Sequence, residues 1–179
     1  MVTLGSFARD ASLGIGEEGG NNQGPRIREF ALNADPPIHT AVPWCALAVQ
    51  FHSDLAARTL GVPNPLDDVK LEAYVQNYFD TLARLEVDAS QARAGDLVLY
   101  SFGGERWDHI GVVSKPPRVG SSLFQAVEGN TSSESERDGD AVALKAGILT
   151  VQTADAADAR LIGMIHVILG LGAKALATA

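Results

Sequence analysis

Gly95-Asp96-Leu97-Val98-Leu99-Tyr100-Ser101-Phe102 is where the chain changes character. Ahead of it the sequence reads as helices joined by Gly/Pro-rich loops. From it onward come short runs rich in β-branched and aromatic residues, bounded by Gly, Pro or Ser. The clear runs cover 96–102, 109–113 and 123–128, with weaker strand candidates over 142–149 and 161–167. Helices first and antiparallel strands second predict an α+β domain, with N-terminal helices packed on a small antiparallel β-sheet, and not a doubly wound parallel fold.

Working upstream, residues 14–24 (GIGEEGGNNQG) hold five glycines and two asparagines, too many for a regular element. Pro25 suits the first position of a helix that runs through Asn33, and Asp35-Pro36-Pro37 ends it. Val42-Pro43-Trp44 is extended. The next helix covers 45–60, and its apolar positions are only roughly periodic, so it is buried on most sides. Gly61 and Pro63 stop it. A cleaner amphipathic helix spans 71–85, with Tyr74, Tyr78 and Leu82 at i, i+4, i+8. Downstream, residues 132–140 form a charged loop. The whole reads as one domain over 1–170, followed by a tail or linker over 171–179.

A chain of 179 residues has room for a real core; a domain of this size buries roughly 70% of its unfolded surface. Its hydrophobic share of 46% and charged share of 20% are ordinary for a globular domain. A net charge of −8 argues against a nucleic-acid partner, which requires a basic surface. One cysteine excludes an internal disulfide and any multi-thiolate metal site. Residues 1–10 lack the basic and apolar regions of a signal peptide. The apolar stretch over 161–173 is shorter than the ~20 residues that span a bilayer. The expectation is a protein that is cytoplasmic as made, has no membrane span, and acts elsewhere only after release or delivery.

Cys45 falls at the predicted start of a helix. Unpaired amides and the helix dipole there favour a thiolate, the reactive form of cysteine, and can bind an oxyanion. The competing reading is a small buried core residue, as many lone cysteines are. A nucleophilic thiolate needs a histidine. His109 opens a strand, where its ring can face a cleft, although a surface histidine ending a loop has the same sequence. His39 lies in a Pro-flanked loop. His52 is seven residues inside the cysteine helix, about 10 Å along its axis at 1.5 Å per residue, too far from the sulfur. His166 falls in an apolar strand and suits a core histidine. Glu128 and Asn130 end the next strand, and either can orient the imidazole; turn chemistry explains Asn130 equally well, and a solvated strand end Glu128.

Five segments now stand in order: Glu18-Gly19-Gly20-Asn21-Asn22-Gln23-Gly24, Pro43-Trp44-Cys45-Ala46, Ala94-Gly95-Asp96-Leu97-Val98, Asp108-His109-Ile110-Gly111-Val112-Val113 and Glu128-Gly129-Asn130-Thr131. In them the chain resembles the CHAP domains, the cysteine- and histidine-dependent amidohydrolases/peptidases of phage lysins and bacterial autolysins, over about residues 10–150. The resemblance implies a papain-like fold and hydrolysis of amide bonds in peptidoglycan, by an N-acetylmuramoyl-L-alanine amidase or a peptide endopeptidase. It implies Cys45 as nucleophile, His109 as base and acid, and Glu128 or Asn130 as the group that orients His109. Trp44, Asn22 and Trp107 are candidates for lining the substrate groove, and both tryptophans suit a core equally.

No cofactor or metal is expected. The Asp-rich calcium loop of some relatives is absent, and Glu17, Glu18 and Asn21 fall short of calcium's six to eight oxygen ligands. There is also no wall-binding repeat after residue 150, so wall targeting calls for a separate binding or delivery module. The same residues serve a papain-like enzyme acting on a protein substrate, or a non-catalytic wall-binding module of the same fold.

Overall fold

Two adjacent features start the central helix sharply at the cysteine. Trp44, with φ −117° and ψ 9°, is not helical, and the Trp44 carbonyl accepts the first helical hydrogen bond from the Ala48 amide at 2.9 Å. The computed structural model describes residues 2–88, 91–102, 106–119, 123–131, 140–148 and 165–169. Its helices are α1 (Val2–Ser12), α2 (Pro25–Asn33), α3 (Cys45–Leu60) and α4 (Val75–Leu82), the last continued by a single 3-10 turn at Ala83–Leu85. Its strands are β1 (Glu86–Val87), β2 (Leu97–Ser101), β3 (His109–Lys115), β4 (Leu123–Thr131), β5 (Ala141–Ile148) and β6 (Ile165–Leu169). No helix among the described residues is long and apolar enough to cross a membrane.

The strands form one antiparallel sheet in the order β1-β6-β2-β3-β4-β5. The expected α+β arrangement of N-terminal helices on an antiparallel sheet is therefore what the chain adopts. Alternation sorts each strand into two faces. Leu97, Leu99, Ile110, Val112 and Val127 join the helices in the main core, around Phe30, Trp44, Leu47 and Phe51. Val98, Tyr100, Val113, Phe124 and Ala126 form a second, smaller cluster. Near the end of β4 the register with β5 shifts between Glu128 and Thr131, where Asn130 takes a left-handed φ of 53°.

Helices α2 and α3 have the boundaries read from the sequence, and Gly61 closes α3 in the left-handed conformation at φ 66°. Other boundaries differ from those read. Helix α4 begins at Val75 and not at 71, because Leu71 has a left-handed φ of 52° and Asn77 Nδ2 donates to the Lys70 and Leu71 carbonyls. Tyr74 is therefore exposed, while Tyr78 and Leu82 are buried. Helix α1 and the short strand β1 were not foreseen. The weak strand candidate at 142–149 is β5, and that at 161–167 is β6, starting at Ile165. The charged loop, apart from Asp140, and the tail at 171–179 lie outside the described residues.

Candidate active site

Helix α3 carries Cys45 at its first position. The N-cap residue Trp44 supplies no side-chain cap, so the first-turn amides are left without the partner that capping provides. Trp44 is itself fully buried, and its indole Nε1 donates to Glu17 Oε1 at 3.0 Å. Glu17 is held in turn by its amide, 2.6 Å from the Asp140 carbonyl, beside the Gly16–Ala141 bridge to β5. The glycine-rich loop thus anchors the residue that starts the cysteine helix. This corrects the expectation that Trp44 lines a groove: its ring is a core group packed against Phe30 at 5.9 Å.

His109 is the first residue of β3, at the end of the sheet, and is buried together with Cys45 and Glu128. The pairing of β3 with β4 sets Gly111 opposite Glu128, which brings the carboxylate over β3 towards the histidine two residues away. Glu128 Oε2 lies 3.1 Å from His109 Nε2, and the Cys45 side chain acts on the same imidazole as a neighbouring group that raises its pKa. With Nε2 on the carboxylate, Nδ1 is the nitrogen left for the sulfur. Burial pushes the imidazole's pKa down. The charge and hydrogen bonds of Cys45 and Glu128 outweigh it and raise the value to about 10.

The second oxygen of Glu128, Oε1, accepts the Tyr100 phenol at 2.6 Å. Tyr100 had no part in the sequence reading beyond its place in the strand run 96–102; its position opposite His109 comes from the pairing of β2 with β3. Asn130, the alternative orienting group, is buried at the irregularity between β4 and β5, and the acceptor for the imidazole N–H is Glu128 Oε2.

A cleft of about 670 Å³ lies between the glycine-rich loop, α2 and the segment leading to α3. Asn22, Gln23, Arg28, His39, Val42 and Leu47 are among its lining, which does not include Cys45 or His109. Val42 is three residues before Cys45, so its Cα is within about 11 Å of the cysteine's by chain length alone. Asn22 has a left-handed φ of 56°, and its Oδ1 is buried without a hydrogen-bond partner. Trp107 is outside this lining: it is half-buried on α4, with its ring 5.3 Å from Phe79 and its amide donating to Gln76 Oε1 at 3.0 Å. His52, set aside by its distance along the helix, is fully buried between the Ala48 carbonyl and Asp10. His39 is exposed at the cleft, and His166 falls in β6.

No family model, no curated protein and no solved structure matches the chain.

Proposed function

We propose that the chain is a papain-like cysteine hydrolase of the CHAP kind, cleaving amide bonds of peptidoglycan with Cys45 as nucleophile. The observation that carries the reading is a buried histidine ring hydrogen-bonded to a buried carboxylate and influenced by the chain's single cysteine, which opens a helix. A thiol, an imidazole and an orienting acid in that sequence of contacts form the working set of covalent amide hydrolysis. A cysteine helix packed on an antiparallel sheet, with the histidine opening a strand, agrees with the papain-like layout.

In the proposed reaction the Cys45 thiolate attacks the amide carbonyl carbon, and the oxyanion is received by first-turn amides of α3. The carbon–nitrogen bond breaks as the His109 imidazolium gives its proton to the leaving amine. A thioester on Cys45 remains. Water then loses a proton to His109 and attacks the thioester, the carbon–sulfur bond breaks, and acid product leaves with the thiolate restored. Glu128 keeps the ring turned towards the sulfur. In the cleft, Asn22 Oδ1 is an acceptor suited to an amide N–H of the stem peptide or cross-bridge. A separate wall-binding or delivery module would bring the acidic chain to its polyanionic substrate.

The test is turbidity loss of purified peptidoglycan. The wild-type protein clears it, and Cys45→Ala slows clearing about a thousandfold or more. Equal clearing by both proteins, or no clearing by the wild type across several wall types, contradicts the proposal.

A further inference from the structure

We infer that Tyr100 and Gly111 position Glu128 for His109, the phenol by holding the far carboxylate oxygen and the glycine by leaving the path across β3 open. The inference rests on the reading of His109 as partner of Cys45, and adds two residues that act on it through Glu128.

The argument begins with register. Tyr100 on β2 lies opposite His109 on β3, and Gly111 on β3 lies opposite Glu128 on β4. Directly opposite residues share a face, and residues two apart in a strand do as well. Tyr100, His109, Gly111 and Glu128 therefore occupy one face across three neighbouring strands. A carboxylate held by one donor can rotate about its last torsion. Here the two oxygens have separate partners, Tyr100 at 2.6 Å and His109 at 3.1 Å, and rotation breaks both contacts. Burial is the leading cause that raises the phenol well above a tyrosine's ordinary range, and the Glu128 charge adds to it. The Tyr100 hydroxyl thus keeps its proton and remains a donor at every pH where the enzyme works.

Gly111 contributes by what it lacks. A Cβ there would lie 2.6 Å from Glu128 Cγ and 3.1 Å from the Val127 carbonyl oxygen. Backbone Val127 cannot yield without disturbing the sheet, so the Glu128 side chain would be displaced from its course to His109. The requirement is one of space.

The experiment uses the single cysteine as its own reporter. Alkylation of Cys45 by iodoacetamide is followed from pH 4 to 11 in the wild type, Tyr100→Phe, Gly111→Ala and the double variant, alongside clearing rates at saturating peptidoglycan and melting temperatures. The wild type is expected to show two inflections, the second near pH 10 as His109 gives up its proton. In Tyr100→Phe the second inflection moves down by about one pH unit, and clearing falls about tenfold, as for loss of a hydrogen bond to a charged group. Gly111→Ala moves it the same way. The double variant loses no more than the worse single one, because both act through one carboxylate. A second inflection unmoved in Tyr100→Phe, or losses that multiply in the double variant, overturns the inference. A wild-type profile with no inflection near pH 10 overturns the Cys45–His109 pair and the inference together. The expected alkylation profiles in a protein that clears no wall uphold the inference and reject only the peptidoglycan reading.

Discussion

His109 is buried among groups that act on its proton in opposite directions. Burial favours the neutral ring, while Cys45 and Glu128 favour the imidazolium and prevail, placing its pKa at about 10. Wall clearing should therefore persist through the neutral range and decline as pH passes about 10, when the leaving amine loses its proton donor. A pH–rate profile checks this, and a decline centred near the ordinary histidine value would contradict it. Stability has the same sign. The folded value stands above the unfolded one, so the contribution is complete below about 6.5 and is lost as pH rises through about 10. At this scale the sequence was informative where chemistry is local. A cysteine at a helix start and a histidine at a strand start are both visible in short motifs. Trp44 was not legible in this way, because an aromatic residue before a helix has the same local sequence whether it faces solvent or the core.

Among the elements, α3 depends on how closely its first turn approaches β4. A Cβ at Gly129 would lie 2.8 Å from Trp44 Cζ3 and 3.2 Å from Ala48 Cβ. Gly129→Ala should push the start of α3 off the sheet, destabilising the fold by about 1–3 kcal/mol, the usual cost of overpacking. Chemical denaturation measures this; an unchanged midpoint would show that Trp44 has room to move. Helices α2 and α3 were legible to the residue because Pro25, Trp44 and Gly61 mark their ends. The start of α4 was not, because the apolar spacing continues upstream of Val75 while the backbone turns at Leu71. Helix α1 has a glycine and two serines among its 11 residues, and its helical state depends on packing against α3 and β5 that no local pattern reports.

For the whole molecule, the helical layer is tied together by one buried carboxylate. Asp10 of α1 meets Arg26 of α2 at 2.9 Å and His52 of α3 at 2.7 Å, with Asp10 and His52 almost wholly enclosed. The Arg26 guanidinium also lies over the Phe51 ring at 4.7 Å. Asp10→Ala leaves both partners without their shared acceptor and should destabilise the protein by about 3–5 kcal/mol. A loss below ~1 kcal/mol in equilibrium unfolding would mean that water replaces the carboxylate. This triad and the strand order could not be read from the chain. Asp10, Arg26 and His52 are far apart in sequence, and β6 enters between β1 and β2 from the far end of the described residues. The fold class was legible because periodicity changes once, at Gly95, and class depends on that change more than on which strand pairs with which.

The central claim is that Cys45 forms a covalent acyl intermediate. Its most direct test is intact-protein mass spectrometry after acid quenching of the protein mixed with soluble wall fragments. The account predicts an acyl adduct on Cys45 that appears before product accumulates and is absent from Cys45→Ala. Product released at an undiminished rate by Cys45→Ala, with no adduct on the wild type, would contradict it.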